Sequence, residues 1–201
     1  MLKLGFLASR SGSAMRAAIA AIEVGELAAQ ARIVISNRRE APALAFAAEH
    51  GIVTRVIATA VHPEAADRAL AAALRDADVD LVVLCGYLRK LGPATLSMFA
   101  NRILNIHPSL LPKFGGLGMY GRRVHEAVAT AGEVATGACV HIVDGDYDQG
   151  PVLASVRVPL TPGDSVEEIE RKVTALEPGL MVDVLRQISQ GALKLPKSYA
   201  S

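Results

Sequence analysis

An apolar run from Arg102 to Ile106 stops at a histidine followed by two prolines, giving Asn105-Ile106-His107-Pro108-Ser109-Leu110-Leu111-Pro112. Ile103, Leu104 and Ile106 leave little room for a wet face, so the run predicts a buried strand. Pro108 keeps His107 out of the α region and holds the chain extended through it. Residues two apart in an extended chain point the same way. Asn105 and His107 therefore project together from one face at a strand end, the edge at which open α/β sheets bind ligands.

The rest of the chain reads as the sheet around that strand. Leu2–Leu7, Ala31–Ser36, Val53–Ile57 and Leu81–Cys85 are predicted strands. They alternate with helices predicted over Ala14–Glu26, Pro42–His50, Pro63 to Asp76, and a short one from Pro93. Hydrophobic residues make up 51% of the chain and aromatics only 4%. Ala, Val and Leu must therefore fill the interior, as in a helix-covered parallel sheet. The expected fold class is α/β: a doubly wound, mostly parallel sheet with right-handed crossovers and a Rossmann-like N-terminal half. The later part differs. A glycine-rich loop, Gly115–Gly121, leads to a helix over Arg123–Thr130. Two strands follow, Gly137–Val143 and Val152–Val158, joined through Asp144–Gly150. Ser165 then opens one long helix, with Glu168 at capping-box spacing. The 201 residues, free of repeats and low-complexity linkers, predict one domain over 1–201.

Charge excludes some functions. With 21 basic and 20 acidic residues, net +1, the chain has no broad field for nucleic acid or an acidic membrane. A charged ligand must be met by local groups. Cys85 and Cys139 each lie in an apolar run, predicting reduced core residues, and no Cys/His cluster has zinc spacing. No apolar run approaches the roughly 20 residues of a membrane span. Met1-Leu2-Lys3-Leu4 leads straight into a strand, which predicts no signal peptide and a cytoplasmic protein. Monomer and homodimer both remain open.

Several groups carry chemistry, each with an ordinary reading beside it. Arg10-Ser11-Gly12-Ser13 joins a strand to a helix N-terminus, which suits phosphate. It is neither a dinucleotide fingerprint nor a P-loop, and a plain turn with Ser13 as N-cap explains it as well. The alternating aspartates of Asp144–Gly150 resemble a calcium loop. The glycine is one place late, however, and the twelfth position is Ser155 rather than glutamate. A solvated turn accounts for most of them, while Asp148, before Gly150-Pro151, is a candidate carboxylate beside His107. His107 is either a loop histidine or a catalyst; Asn105 on the same face favours the second. His50, His62 and His125 read as surface or helix-end residues, and His141 as a hydrogen-bonded core residue. Gly86–Leu91 follows a buried strand, so its exposed backbone either reads a flat heterocycle or is simply a loop. Glu177, beside the helix-disfavouring Pro178, is a surface charge or a partner for a hydroxyl.

Taken together, these strings resemble the folate-dependent glycinamide ribonucleotide formyltransferase family over nearly the whole chain. Asn105–Pro112 and Asp148-Gln149-Gly150-Pro151 carry the resemblance most strongly. The middle loop, Gly118-Met119-Tyr120-Gly121-x-x-Val124-His125, is similar to the glycinamide ribonucleotide branch. The resemblance implies formyl transfer from 10-formyltetrahydrofolate to the amine of 5-phosphoribosyl-glycinamide in de novo purine biosynthesis, with small-molecule substrates, no metal, no nucleic acid and no membrane. It implies Asn105, His107 and Asp148 as the catalytic set. Arg10, Ser11, Gly12, Ser13, Ala14 and Glu177 match its phosphate and ribose contacts. Leu88, Arg89, Lys90 and Leu91, with Asn105, match its folate contacts. It also divides the domain into a phosphate-binding half, 1–100, and a catalytic and folate-binding half, 101–201. Ala14 stands where the family has asparagine, Arg10 where it has glycine, and Pro63 where many relatives are basic. Arg10 would supply charge where amide contacts are lost. A formyltransferase acting on another small amine, and a non-catalytic folate-binding protein, are the rival readings.

Overall fold

The computed structural model describes residues 1–196; the last five residues of the expected domain lie outside the described residues. The elements run β1 (Leu2–Leu7), α1 (Ser13–Glu23), β2 (Ala29–Ser36), α2 (Pro42–Glu49), β3 (Val53–Val56), α3 (Pro63–Asp76), β4 (Leu81–Leu84), α4 (Pro93–Met98) and β5 (Ile103–His107). They continue with α5 (Arg122–Thr130), β6 (Ala135–Ile142), β7 (Val152–Pro159), α6 (Val166–Thr174) and α7 (Glu177–Ser189). The strands form one seven-stranded sheet in the order β3-β2-β1-β4-β5-β6-β7. The first five in that order are mutually parallel, and β6 and β7 run antiparallel, giving the mostly parallel sheet that the sequence predicts.

Side-chain alternation divides the core in two. Leu4 and Phe6 of β1, Val34 of β2, Leu81 and Val83 of β4 and Leu104 of β5 pack on one side, against Met15 and Ile19 of α1, Leu44 of α2 and Met181 and Leu185 of α7. Leu7, Ile33, Ile35, Val82, Leu84 and Ile103 pack on the other, against Leu70 and Leu74 of α3 and Phe99 beyond α4. This period of two, apolar on both faces, is what a sheet covered by helices on both sides requires. Burying each such Leu, Ile or Phe contributes about 1.5–3 kcal/mol, so the core needs no cross-link. Cys85 and Cys139 are free and buried. Among the described residues no helix is long and apolar enough to cross a membrane.

Strand order reverses between β1 and β4, opening the crevice at which doubly wound sheets hold ligands. On the antiparallel side, Gly150 ends the β6–β7 connection; a Cβ there would lie 1.8 Å from the Ile142 carbonyl oxygen. The hairpin can close this tightly only on glycine. One expectation is corrected. The helix opened by Ser165 is two helices, because Pro178 lacks the N–H an inner turn needs and stands instead in the first turn of α7. The capping box is present: Glu168 N–H donates to Ser165 Oγ, and Ser165 N–H to Glu168 Oε2.

Candidate active site

β5 lies between β4 and β6, and its antiparallel register sets Asn105 opposite His141 and His107 opposite Cys139. Directly opposed side chains touch, and Asn105 Nδ2 lies 3.1 Å from His141 Nε2. The other ring nitrogen, Nδ1, faces the Ile142 carbonyl oxygen at 3.0 Å. His141 is thus buried and hydrogen-bonded, as the sequence predicts, but it is also a member of the site. The sequence reading missed this, because only the β5–β6 register brings the two residues together.

Asp148 reaches the same point from the far side. Its φ of 57° is left-handed, which turns the β6–β7 connection back over the strand ends. One carboxylate oxygen, Oδ2, lies 3.4 Å from His107 Nδ1, and the other, Oδ1, lies 3.4 Å from His141 Nε2. Gly116 N–H donates to Oδ2 at 3.0 Å. Gly115 lets the loop come this close, since a Cβ there would stand 3.2 Å from Asp148 Cβ and 2.4 Å from Leu111 Cδ2. His107 Nε2 lies 2.8 Å from the Phe114 carbonyl oxygen. A carbonyl only accepts, so the hydrogen sits on Nε2 and Nδ1 faces the carboxylate.

The electrostatics follow from these contacts. Burial works to raise the Asp148 carboxyl, but contacts with the His107 and His141 rings, the charge of His107 and the Gly116 N–H outweigh it and hold it well below the usual carboxylate range. His141 Nε2 stands between an amide and a carboxylate. Without a proton it accepts from Asn105; with one it donates to Asp148. An amide, two imidazoles and an anionic carboxylate therefore surround one point and can stabilise an oxyanion or pass a proton.

That point opens on a cavity of about 870 Å³. Arg10 to Ala14 line it at the N-terminus of α1, where Gly12 is the left-handed N-cap and no side chain caps the helix. Ser13 is therefore the first helical residue rather than the cap. The Arg10 side chain is exposed and has no ion-pair partner among the described residues; Ala14 is buried. Leu88 to Leu91 line the cavity as well. Their loop is tied to the end of β1 by Leu88 N–H donating to Ser9 Oγ at 3.0 Å, and Lys90 stands over the Tyr147 ring at 5.4 Å. Pro63 lies outside this lining, on a separate cavity of about 200 Å³.

Glu177, at the start of α7, is half-buried and lines the large cavity. Burial, with Glu170 adding to it and the charge of His107 opposing, pushes its carboxyl up to about 7. His125 corrects another expectation. It is buried rather than at the surface, 1% exposed, and lines the cavity with its Nδ1 unpartnered. The signal was present, since Val124 and Val128 mark the inward face of α5 and His125 adjoins it.

Comparison with known proteins agrees with this geometry. The profile of the formyl transferase family matches residues 2–185. The chain is 37% identical, over 96% of its length, to phosphoribosylglycinamide formyltransferase of Escherichia coli, and covers 90% of that protein. It is 34% identical, over 94% of its length, to the chloroplastic phosphoribosylglycinamide formyltransferase of Vigna unguiculata, of which it spans 61%. Its structure superposes on glycinamide ribonucleotide transformylase 1 from Symbiobacterium toebii with a TM-score of 0.89, at 34% identity, covering 98% of this chain and 91% of that one. With the fold and nearly the whole length matched, the chain belongs to the formyl transferase family.

Proposed function

We propose that the chain transfers the formyl group of 10-formyltetrahydrofolate to the primary amine of 5-phosphoribosyl-glycinamide, a step of de novo purine biosynthesis. The observation that carries this reading is the Asp148 carboxylate within 3.4 Å of both His107 and His141, beside Asn105, on one cavity. A cavity of about 870 Å³ is within the range that holds two small molecules or one large one.

In this reading the neutral amine attacks the formyl carbon, and negative charge grows on the formyl oxygen. Asn105 donates an amide N–H to that oxygen, and the His107 ring adds positive charge beside it. Losing one such donor typically costs about 2.7–4 kcal/mol of transition-state stabilisation. The intermediate collapses by breaking the bond from the formyl carbon to the folate nitrogen, and the proton lost by the amine is delivered to that nitrogen. Asp148, held well down the carboxylate range, is a poor proton acceptor. Its part is to orient His107 and to balance the charge that the ring takes up with the proton. Both His–Asp contacts are longer than a settled hydrogen bond, which fits a site that tightens only around its substrates.

The phosphate is taken by the backbone of Gly12 to Ala14 at the α1 N-terminus and by Arg10. Glu177 accepts from the ribose hydroxyls, and the backbone of Leu88 to Leu91 reads the pterin. Phosphate contacts thus come from the first hundred residues and catalytic ones from the second; the folate loop, Leu88 to Leu91, also lies in the first hundred, and only Asn105 of the folate contacts lies in the second. A different amine acceptor is the second reading, favoured by Ala14 and Arg10 in the phosphate turn. The test is to mix the protein with 10-formyltetrahydrofolate and glycinamide ribonucleotide and follow folate absorbance. Turnover is expected; bound folate without turnover would leave a binding protein, and turnover only with another amine would favour the second reading.

A further inference from the structure

His125 lines the cavity, bonds to none of the residues placed around Asp148, and has no part in the proposed reaction. It is 1% exposed, and its Nδ1 has no hydrogen-bond partner among the described residues. Leaving a buried polar atom unpaired costs about 1–3 kcal/mol. The charged groups that face it are Glu170 on α6, Arg122 on its own helix and His107 on β5, and none of them bonds to it. Arg122 is committed to Glu126, Glu167 and Glu170, and His107 to Phe114 and Asp148. Burial, the main influence, holds the imidazole below its ordinary range. At neutral pH the ring is therefore uncharged and offers one donor and one acceptor.

The lining around His125 indicates what it would bind. The cavity residues contributed by α5, α6 and the start of α7 include Arg123, Glu170, Thr174 and Glu177, which are polar. Those from β4 and the loop after it include Leu84, Leu88 and Leu91, which are apolar. The first set suits a hydroxylated sugar phosphate and the second a flat heterocycle. We propose that His125 contacts the ribonucleotide directly, its imidazole hydrogen-bonding the sugar–amide part of the molecule, and so helps the site distinguish a ribosyl amine from other amines. The inference rests on the formyl-transfer reading and deepens it.

The test compares His125→Phe, which keeps ring volume without a nitrogen, with His125→Asn, which keeps a polar group near the Nδ1 position. Circular dichroism and folate binding report whether each variant is folded. His125→Phe is expected to raise the KM for the ribonucleotide about tenfold or more, to leave the folate KM within about twofold, and to be partly rescued by His125→Asn. In wild-type protein with isotope-labelled histidine, the His125 ring-nitrogen resonances are expected to move on adding ribonucleotide and to stay in place on adding folate. An unchanged KM overturns the proposal, as do equal shifts in both constants or ring resonances that ignore the ribonucleotide. An inactive wild-type protein would instead count against formyl transfer, and the resonance titration would then still decide the contact.

Discussion

Replacing Asp148 by asparagine exchanges one carboxylate oxygen for an NH2 group and removes one charge from the centre of the site. The amide oxygen can still accept from Gly116 N–H, which lies 3.0 Å away, so the turn keeps its tether. Both histidine contacts lose their anion. At 3.4 Å and an effective dielectric near 20, a unit-charge pair is worth about 5 kcal/mol before desolvation is subtracted. Proton transfer through a positioned group commonly contributes about 10²–10⁴-fold to rate. Asp148→Asn should therefore lower kcat by roughly 10²–10⁴-fold, while the folate KM changes less than about threefold, because the folate loop is not touched. Steady-state absorbance assays with each substrate varied in turn measure both constants. A kcat within tenfold of wild type would refute the assignment, and a loss confined to KM would make Asp148 a binding residue.

Three further outcomes are expected. Glu177 has its carboxyl raised to about 7, so the folded state holds a proton that the unfolded chain releases near its ordinary value of about 4.3. Stability from this group is thus fully present below about pH 4 and is lost as pH rises to about 7; Tm measured across pH should fall over that window in wild type and less so in Glu177→Gln. Arg10→Ala should raise the KM for the ribonucleotide by about tenfold and spare the folate KM, since the exposed guanidinium is assigned to phosphate; equal effects on both would count against that. Gly150→Ala forces a Cβ to within 1.8 Å of the Ile142 carbonyl oxygen and should destabilise the protein by about 3 kcal/mol or more in urea unfolding.

The parallel half of the sheet was legible because its strands are short apolar runs bounded by glycine, proline and helical periodicity. Asn105 and His107 were legible as a pair, since Pro108 fixes the local extension. Their partner His141 was not: it sits opposite Asn105 only once β6 pairs antiparallel with β5, and no local pattern sets that register. Asp148 was singled out beside His107, with the resemblance placing it in the catalytic set, but nothing local proved the pairing; its left-handed backbone and the glycine beside Leu111 are what bring it over His107. His125 was misread because Arg122, Arg123 and Glu126 stand around it, although Val124 and Val128 mark the buried side. The break before α7 had its signal in Pro178-Gly179, which the capping box upstream obscured.

The central claim is that one carbon atom passes from folate to an amine on this protein. The direct measurement is to supply 10-formyltetrahydrofolate labelled at the formyl carbon together with glycinamide ribonucleotide, and to follow the label by carbon NMR. The account predicts that the signal moves to a new formamide on the ribonucleotide as tetrahydrofolate accumulates. Label appearing as free formate, or remaining on the folate, would contradict it.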